Sequence, residues 1–223
     1  MTVKAILLDV DGTLLDFEKG SQEAMFSAAK TLGVDLPDDI YVTFKRINTG
    51  LWQALERGEL TRQELHAVRW NRIFKAAGVD FDGPTFEKVF FANLYQSAVP
   101  VDGAREILEY LYTKYPLYVA TNALYDQQVT RLTKADMLKY VKELFTSEKI
   151  GFAKPSAEFF THCVNALSPL KPDEIIMIGD SLSADIIGAK SFGIHTCWYS
   201  HDGEQSEHAD FTVTKMTDIK KIL

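Results

Sequence analysis

Residues 3–14 read VKAILLDVDGTL, and the fold turns on how this stretch is read. Val3 to Leu8 is a short apolar run rich in Ile, Leu and Val, the composition of a strand buried on both faces. Asp9 and Asp11 break it at once, and Gly12 and Thr13 follow, which is the chemistry of a turn. Side chains two apart on a strand point the same way, so both acids can face one pocket at the strand's carboxyl end. Taken alone, such a pair is more simply a capped turn with solvated acids.

Moving outward, strand-like runs recur at 117–121 (LYVAT), weakly at 144–147, at 175–179 (IIMIG), at 195–199 and at 211–213. Helical patterns separate them over 103–114, 126–135, 156–167 and 183–192. This alternation predicts an α/β fold, a doubly wound, Rossmann-like parallel sheet that binds ligands beyond the carboxyl ends of its strands. Thr121 to Lys154 spans 33 residues and Lys154 to Asp180 spans 26. Each is close to one βα unit of roughly 30 residues. Asp9 to Thr121 spans 112. The excess carries helical patterns at 21–32, 38–57, 61–77 and 85–96 and no convincing strand. The expected division is a core domain, 1–16 with 98–223, and an inserted α-helical cap domain, 17–97, joined at Asp16-Phe17 and through Ala98 to Gly103.

The 223 residues carry a formal charge of -7, with 46% hydrophobic and 25% charged residues. An acidic balance speaks against a nucleic-acid polymer as partner, because phosphate backbones are held by an excess of Lys and Arg. Cys163 and Cys197 have no ligand or disulfide spacing and are expected to be buried thiols. No signal-type apolar segment and no run of about 18 apolar residues occurs, so no membrane association is expected and a cytoplasmic location is.

Three further elements sit at or just beyond the later strand ends. Thr121-Asn122 offers a hydroxyl and backbone N–H groups that can hold phosphate oxygens, although Thr and Asn also cap helices. Lys154, in GFAKP (151–155), is presented from a loop, with Pro155 expected to open the next helix. GDSLSAD (179–185) places Asp180 beyond a fully apolar strand, where a carboxylate is costly unless paired or metal-bound. Converging carboxylates repel one another, so a divalent cation is the natural compensation, and all-oxygen ligation points to Mg²⁺. Asp9, Asp180 and the backbone carbonyl of Asp11 are candidate ligands.

A carboxylate nucleophile at Asp9 needs no base to ionise, but it repels a phosphate dianion, and the cation with Lys154 must offset that repulsion. Asp11 can then protonate the leaving oxygen and afterwards activate water. Asp185 is expected behind the ligands, orienting Lys154 or a metal-bound water.

DVDGTL, TN, KP and GDSLSAD, in that order over residues 9–185, resemble the four motifs of the haloacid dehalogenase-like superfamily. The resemblance implies Asp9 as nucleophile, Asp11 as acid and base, Thr121 and Lys154 as phosphate ligands and Asp180 as a metal ligand. The helical insertion after the first motif resembles the first subclass of caps. Within the superfamily, LWQALERGELT (51–61) with TCWYS (196–200) is similar to bacterial pyrimidine 5′-nucleotidases of the YjjG and YfnB type. Ala123 departs from the glycine that many relatives carry after TN. The implied activity is hydrolysis of a small phosphate monoester, a nucleoside monophosphate in the first instance.

The alternatives are a phosphosugar or phosphoglycolate phosphatase, or a phosphosugar mutase using the same acids. Asp11 speaks against a dehalogenase, and the chain order of the motifs against a phosphoacceptor signalling module. A non-catalytic phospho-ligand-binding relative has little motive while every reactive residue type is present. The five histidines show no i, i+3 or i+4 pairing, so no histidine metal site is expected. Trp52, Trp70 and Phe74 fall at core-packing spacing, and Arg46, Arg57 and Arg72 are expected mostly in solvent.

Overall fold

The computed structural model describes residues 2–223. Six parallel strands form one sheet in the order β3-β2-β1-β4-β5-β6: β1 Ala5–Leu8, β2 Leu117–Thr121, β3 Val141–Thr146, β4 Ile175–Gly179, β5 His195–Tyr199 and β6 Phe211–Val213. β1 is buried along its whole length, as its unbroken apolar run requires of a central strand covered on both sides.

Alternation along the strands sorts the side chains into two cores. Ile6, Leu8, Val119, Ile176 and Ile178 pack on one face, with Ile107, Leu108 and Leu111 of α5 (Ala104–Tyr112) and Leu132 of α6 (Tyr125–Lys134). Ala5, Leu7, Ala120, Ile175 and Met177 pack on the other, with Phe159, Phe160 and Cys163 of α8 (Ala157–Ala166) and Ala189 of α9 (Gly188–Ser191). Full burial of each large aliphatic contributes about 1.5–3 kcal/mol, and truncating Ile6 or Ile176 to alanine would cost about 2–5 kcal/mol. Both cysteines are free and buried.

The chain runs from β1 outward through β2 to β3, then returns to the other side of β1 with β4. The strand order therefore reverses beside β1, where the carboxyl ends of β1 and β4 lie together: Leu8 pairs with Ile178, and Asp9 N–H donates to the Ile178 carbonyl at 2.9 Å. A crevice at such a reversal is the ligand position of open α/β sheets.

The chain divides into two compact units, Met1–Phe17 with Ala98–Leu223, and Glu18–Ser97. The two joins run side by side in the first unit, where Asp16 N–H donates to the Val99 carbonyl and Val101 N–H to the Leu14 carbonyl. The second unit is built from α1 (Phe17–Leu32), α2 (Ile40–Glu56), α3 (Arg62–Ala77) and α4 (Gly83–Gln96). Thr61 and Glu64 make a reciprocal capping box at the start of α3, and Asp82 caps α4 just ahead of Pro84. Trp70 and Phe74 are core residues, with Trp70 against Phe44, Phe86 and Phe90, whereas Trp52 is only half-buried.

Inside this apolar unit Arg69, 2% exposed, forks onto Glu87 with bonds of 3.0 and 2.6 Å and donates to Asn48 at 3.0 Å, while the His66 ring lies 2.7 Å from the same carboxylate. Arg69 stands on the buried stripe of α3 with Leu65, Trp70, Ile73 and Phe74. No helix among the described residues is long and apolar enough to cross a membrane.

Two local expectations need correction. Pro155 does not open α8; the helix starts at Ala157, because the Ser156 hydroxyl caps it by accepting the Phe159 N–H. The helix expected over 183–192 forms over residues 182–191, but Leu182–Ile187 is wound as a wide π-helical turn that leads straight into the short α9, since Asp185 and Ile186 both donate N–H bonds to the Ser181 carbonyl. That wide turn carries Asp185 inward to near-complete burial.

Candidate active site

Asp9 follows β1, Thr121 ends β2, Asp180 follows β4, and Lys154 comes from the segment between the short α7 (Ser147–Ile150) and α8. The described residues hold one group of three acids close enough to share a cation: the carboxylates of Asp9, Asp180 and Asp185 offer oxygens all within 4.8 Å of one another. The Lys154 ammonium, 2% exposed, sits among them. It donates to Asp9 Oδ1 at 2.7 Å, Asp185 Oδ1 at 2.6 Å and the Ala120 carbonyl at 2.6 Å, so all three of its N–H bonds are taken.

Two glycines make room for this crowding. A Cβ on Gly179 would fall 2.2 Å from an Asp185 carboxylate oxygen. Gly12, at φ +93°, would place a Cβ 2.3 Å from an Asp180 oxygen, besides adopting a conformation that L side chains avoid.

Three carboxylates against one ammonium leave the cluster short of positive charge. Burial pushes the Asp9 carboxyl well above its ordinary range; Lys154 opposes this, and Asp185 and Asp180 reinforce it. Asp180 is pushed up to about 7, first by burial and then by Asp185, against a hydrogen bond from Thr13. Burial drives the Lys154 ammonium down, but the carboxylates of Asp185 and Asp9 outweigh it, and its pKa lies above the ordinary lysine value. The donor set is oxygen only, under-neutralised and buried at Asp9 and Asp185 with Asp180 partly open, which suits a hard divalent cation.

The surroundings hold these groups in place. Thr13 donates to Asp180 Oδ1 at 2.9 Å, and the Trp198 indole N–H to the Asp180 carbonyl at 2.8 Å. Ser181 N–H donates to Asp185 Oδ2 at 3.1 Å. The side-chain amide of Asn122 braces the Lys154 loop from both ends: its Nδ2 donates to the Lys154 carbonyl at 2.9 Å, and its Oδ1 accepts the Lys154 N–H at 2.8 Å. The Thr121 hydroxyl, 1% exposed, accepts the Ala123 N–H at 3.1 Å.

Asp11 is placed differently from the other acids of the motifs. Its carboxylate lies outside the three-acid group and accepts from Arg131 Nη1 at 2.5 Å and from Gln128 Nε2 at 2.6 Å. Sequence reasoning missed both residues, and Thr13 and Trp198 as well. The available signal for Gln128 and Arg131 was their place beside Leu132 on the inner stripe of α6.

A profile of haloacid dehalogenase-like hydrolases matches residues 3–193. The HAD-hydrolase YfnB of Bacillus subtilis is 33% identical over 199 residues, covering 89% of this chain and 85% of that protein. The pyrimidine 5′-nucleotidase PynA of Streptococcus pneumoniae is 34% identical over 204 residues, 90% of this chain and 85% of its own. A crystal structure of the Bacillus subtilis YfnB protein, bound to magnesium and described as revealing interdomain movement, superposes with a TM-score of 0.93 at 30% identity, covering 100% of this chain and 99% of that one. With the motif residues gathered at the strand ends and these matches spanning nearly all of its length, the chain belongs to the haloacid dehalogenase-like hydrolase family.

Proposed function

We propose that the protein is a Mg²⁺-dependent phosphatase that hydrolyses small phosphate monoesters through a covalent phosphate on Asp9, with pyrimidine nucleoside monophosphates as its substrates and residues 17–97 as its cap domain. The observation that carries this reading is the Lys154 ammonium bonded at once to Asp9 and Asp185 inside an acid cluster short of positive charge.

Asp9, Asp180 and the backbone carbonyl of Asp11 would hold the metal ion. Bound there, Mg²⁺ supplies the missing positive charge and draws electron density from the phosphoryl oxygens. Lys154 keeps Asp9 oriented, favours its ionised form against burial, and offers its charge to the incoming phosphate dianion. Thr121 and the backbone N–H groups of the Asn122 segment complete the phosphate contacts, since the Asn122 side chain is committed to the Lys154 loop.

In the first half of the reaction an Asp9 oxygen bonds to phosphorus, the ester bond to the leaving oxygen breaks, and Asp11 gives that oxygen a proton. In the second half water attacks the aspartyl-phosphate, Asp11 takes a proton from it, and Asp9 is released as a carboxylate with inorganic phosphate. The pyrimidine preference is supported by the likeness to PynA.

The test is phosphate release from a panel of nucleoside monophosphates, sugar phosphates and phosphoglycolate, with Mg²⁺ and with EDTA. Mg²⁺-dependent release with preference for dUMP or dTMP is the expected result. Preference for a sugar phosphate would move the assignment to that substrate class, and no release from any compound would remove the phosphatase reading.

A further inference from the structure

Both oxygens of the Asp11 carboxylate are engaged by one face of helix α6. Arg131 Nη1 donates to Oδ1 and Gln128 Nε2 to Oδ2. The two donors stand at i and i+3, which places them side by side on a helix. Both are buried, at 1% and 0% exposure, and Arg131 Nη1 also donates to Gln128 Oε1 at 3.3 Å, so each steadies the other. Gln128 reaches back to the Thr121 hydroxyl at 3.4 Å, which ties the pair to the end of β2 as well.

One N–H on each oxygen fixes the roll of the carboxylate as well as its position. Each oxygen keeps a second lone pair, and 27% of the Asp11 side chain stays accessible. Burying a guanidinium is costly without a partner. A staple between the β1 loop and α6 needs no such expense, because Val10, Leu14 and Leu132 already pack in the same apolar cluster. The matched donors are better explained by the one property an apolar contact cannot provide, the aim of a carboxylate.

We infer that Gln128 and Arg131 are positioning residues for Asp11, holding its carboxylate in the orientation from which it takes a proton from the attacking water. The inference rests on the aspartyl-phosphate reading above. In the step concerned, the water oxygen bonds to phosphorus, the bond from phosphorus to the Asp9 oxygen breaks and returns the Asp9 carboxylate, and the proton lost by water goes to Asp11. An aryl phosphate separates this step from the first, because an aryloxide leaves with little need of a proton, whereas the water must be activated whatever the substrate. Loss of aim at Asp11 therefore slows hydrolysis of the phosphoenzyme more than its formation.

The experiment is rapid quench of the full-length protein with an aryl phosphate and Mg²⁺, for wild type, Arg131→Met, Arg131→Lys and Gln128→Leu. It reads phenol release in the first turnover, phosphate bound to the quenched protein, and the steady-state rate. For Arg131→Met and Gln128→Leu the steady-state rate should fall by about 10- to 100-fold, the scale of a misplaced catalytic group. First-turnover release should fall by much less, phosphoenzyme should accumulate, and Arg131→Lys should recover part of the rate.

Folded variants that keep the wild-type steady-state rate, or that lose both phases in the same proportion, would overturn the inference. If Arg131→Met does not fold, Gln128→Leu, neutral and of similar size, decides the question alone. Wild-type and Asp9→Asn controls keep the two readings apart. Turnover that requires Asp9, together with unaffected clamp variants, sinks only the positioning role. Turnover that survives Asp9→Asn without any phosphoenzyme removes the mechanism and the inference together.

Discussion

Replacing Lys154 by methionine removes an ammonium and leaves a side chain of similar length in its place. The lost contacts are the bonds to Asp9 and Asp185 and one to the Ala120 carbonyl, all at a position 2% exposed. What remains is three carboxylates within 4.8 Å of one another with their buried counter-charge gone. Breaking a buried pair by removing one partner costs about 3–5 kcal/mol. For a chain of this size, at about 2–4 °C per kcal/mol, the melting temperature should drop by roughly 6–20 °C.

The damage should be specific to charge, so Asp185→Asn added to Lys154→Met should restore about 0.5–3 kcal/mol, the range of coupling between residues in contact. Thermal unfolding followed by circular dichroism in EDTA, across the two single variants and the double, reads both quantities. A melting temperature for Lys154→Met within about 2 °C of wild type, or strictly additive single variants, would refute the argument that the lysine holds the acids together.

Three other outcomes follow from the geometry. Mg²⁺ at 100 times its dissociation constant should stabilise the wild type by about 2.7 kcal/mol, and Asp180→Asn should remove most of that gain in a thermal titration, which equal shifts in both proteins would contradict. Gly179→Ala should abolish activity while leaving the sheet folded, because the added Cβ occupies the place of the Asp185 carboxylate; circular dichroism together with a phosphate-release assay checks both halves.

In the helical unit, Glu87 is buried, which raises its pKa, but His66 and Arg69 outweigh burial and hold it below the ordinary 4.5. A depressed folded pKa means that the stability it contributes is present above the unfolded value and is lost as pH falls through the folded one. Glu87→Gln should therefore be less stable than wild type by about 3–5 kcal/mol at neutral pH, and the gap should close in acid; urea unfolding at several pH values reads it, and a gap that widens in acid would contradict the assignment.

The parts of the fold and site that were legible in the sequence share one physical signature. Val3 to Leu8, Leu117 to Ala120 and Ile175 to Ile178 are apolar runs that end abruptly in Asp9, Thr121 and Asp180, and the structure places all three residues at or just beyond the carboxyl ends of parallel strands. The 112-residue gap exposed the helical insertion because one βα unit fills about a quarter of it. Trp70 and Phe74 could be placed in a core because helical spacing is local.

What escaped depends on partners remote in sequence. Gln128 and Arg131 look like ordinary polar positions of a helix until Asp11, 117 and 120 residues away, is brought to them. Arg69 carries the same lesson: it lies on the apolar stripe of α3, a place for a cation only if a buried acid answers it, and Glu87 does. Trp198 is legible only as part of the strand-like run 195–199, and its N–H bond to the Asp180 carbonyl follows from the β4–β5 pairing, which no local pattern reveals.

The most direct test of the central claim is peptide mapping by mass spectrometry of protein quenched in acid during turnover with Mg²⁺ and a nucleoside monophosphate, alongside phosphate release by Asp9→Asn. Phosphate on the peptide that carries Asp9, with no release by the variant, is the expected result. Phosphate on another residue, or undiminished release by a folded Asp9→Asn protein, would contradict it.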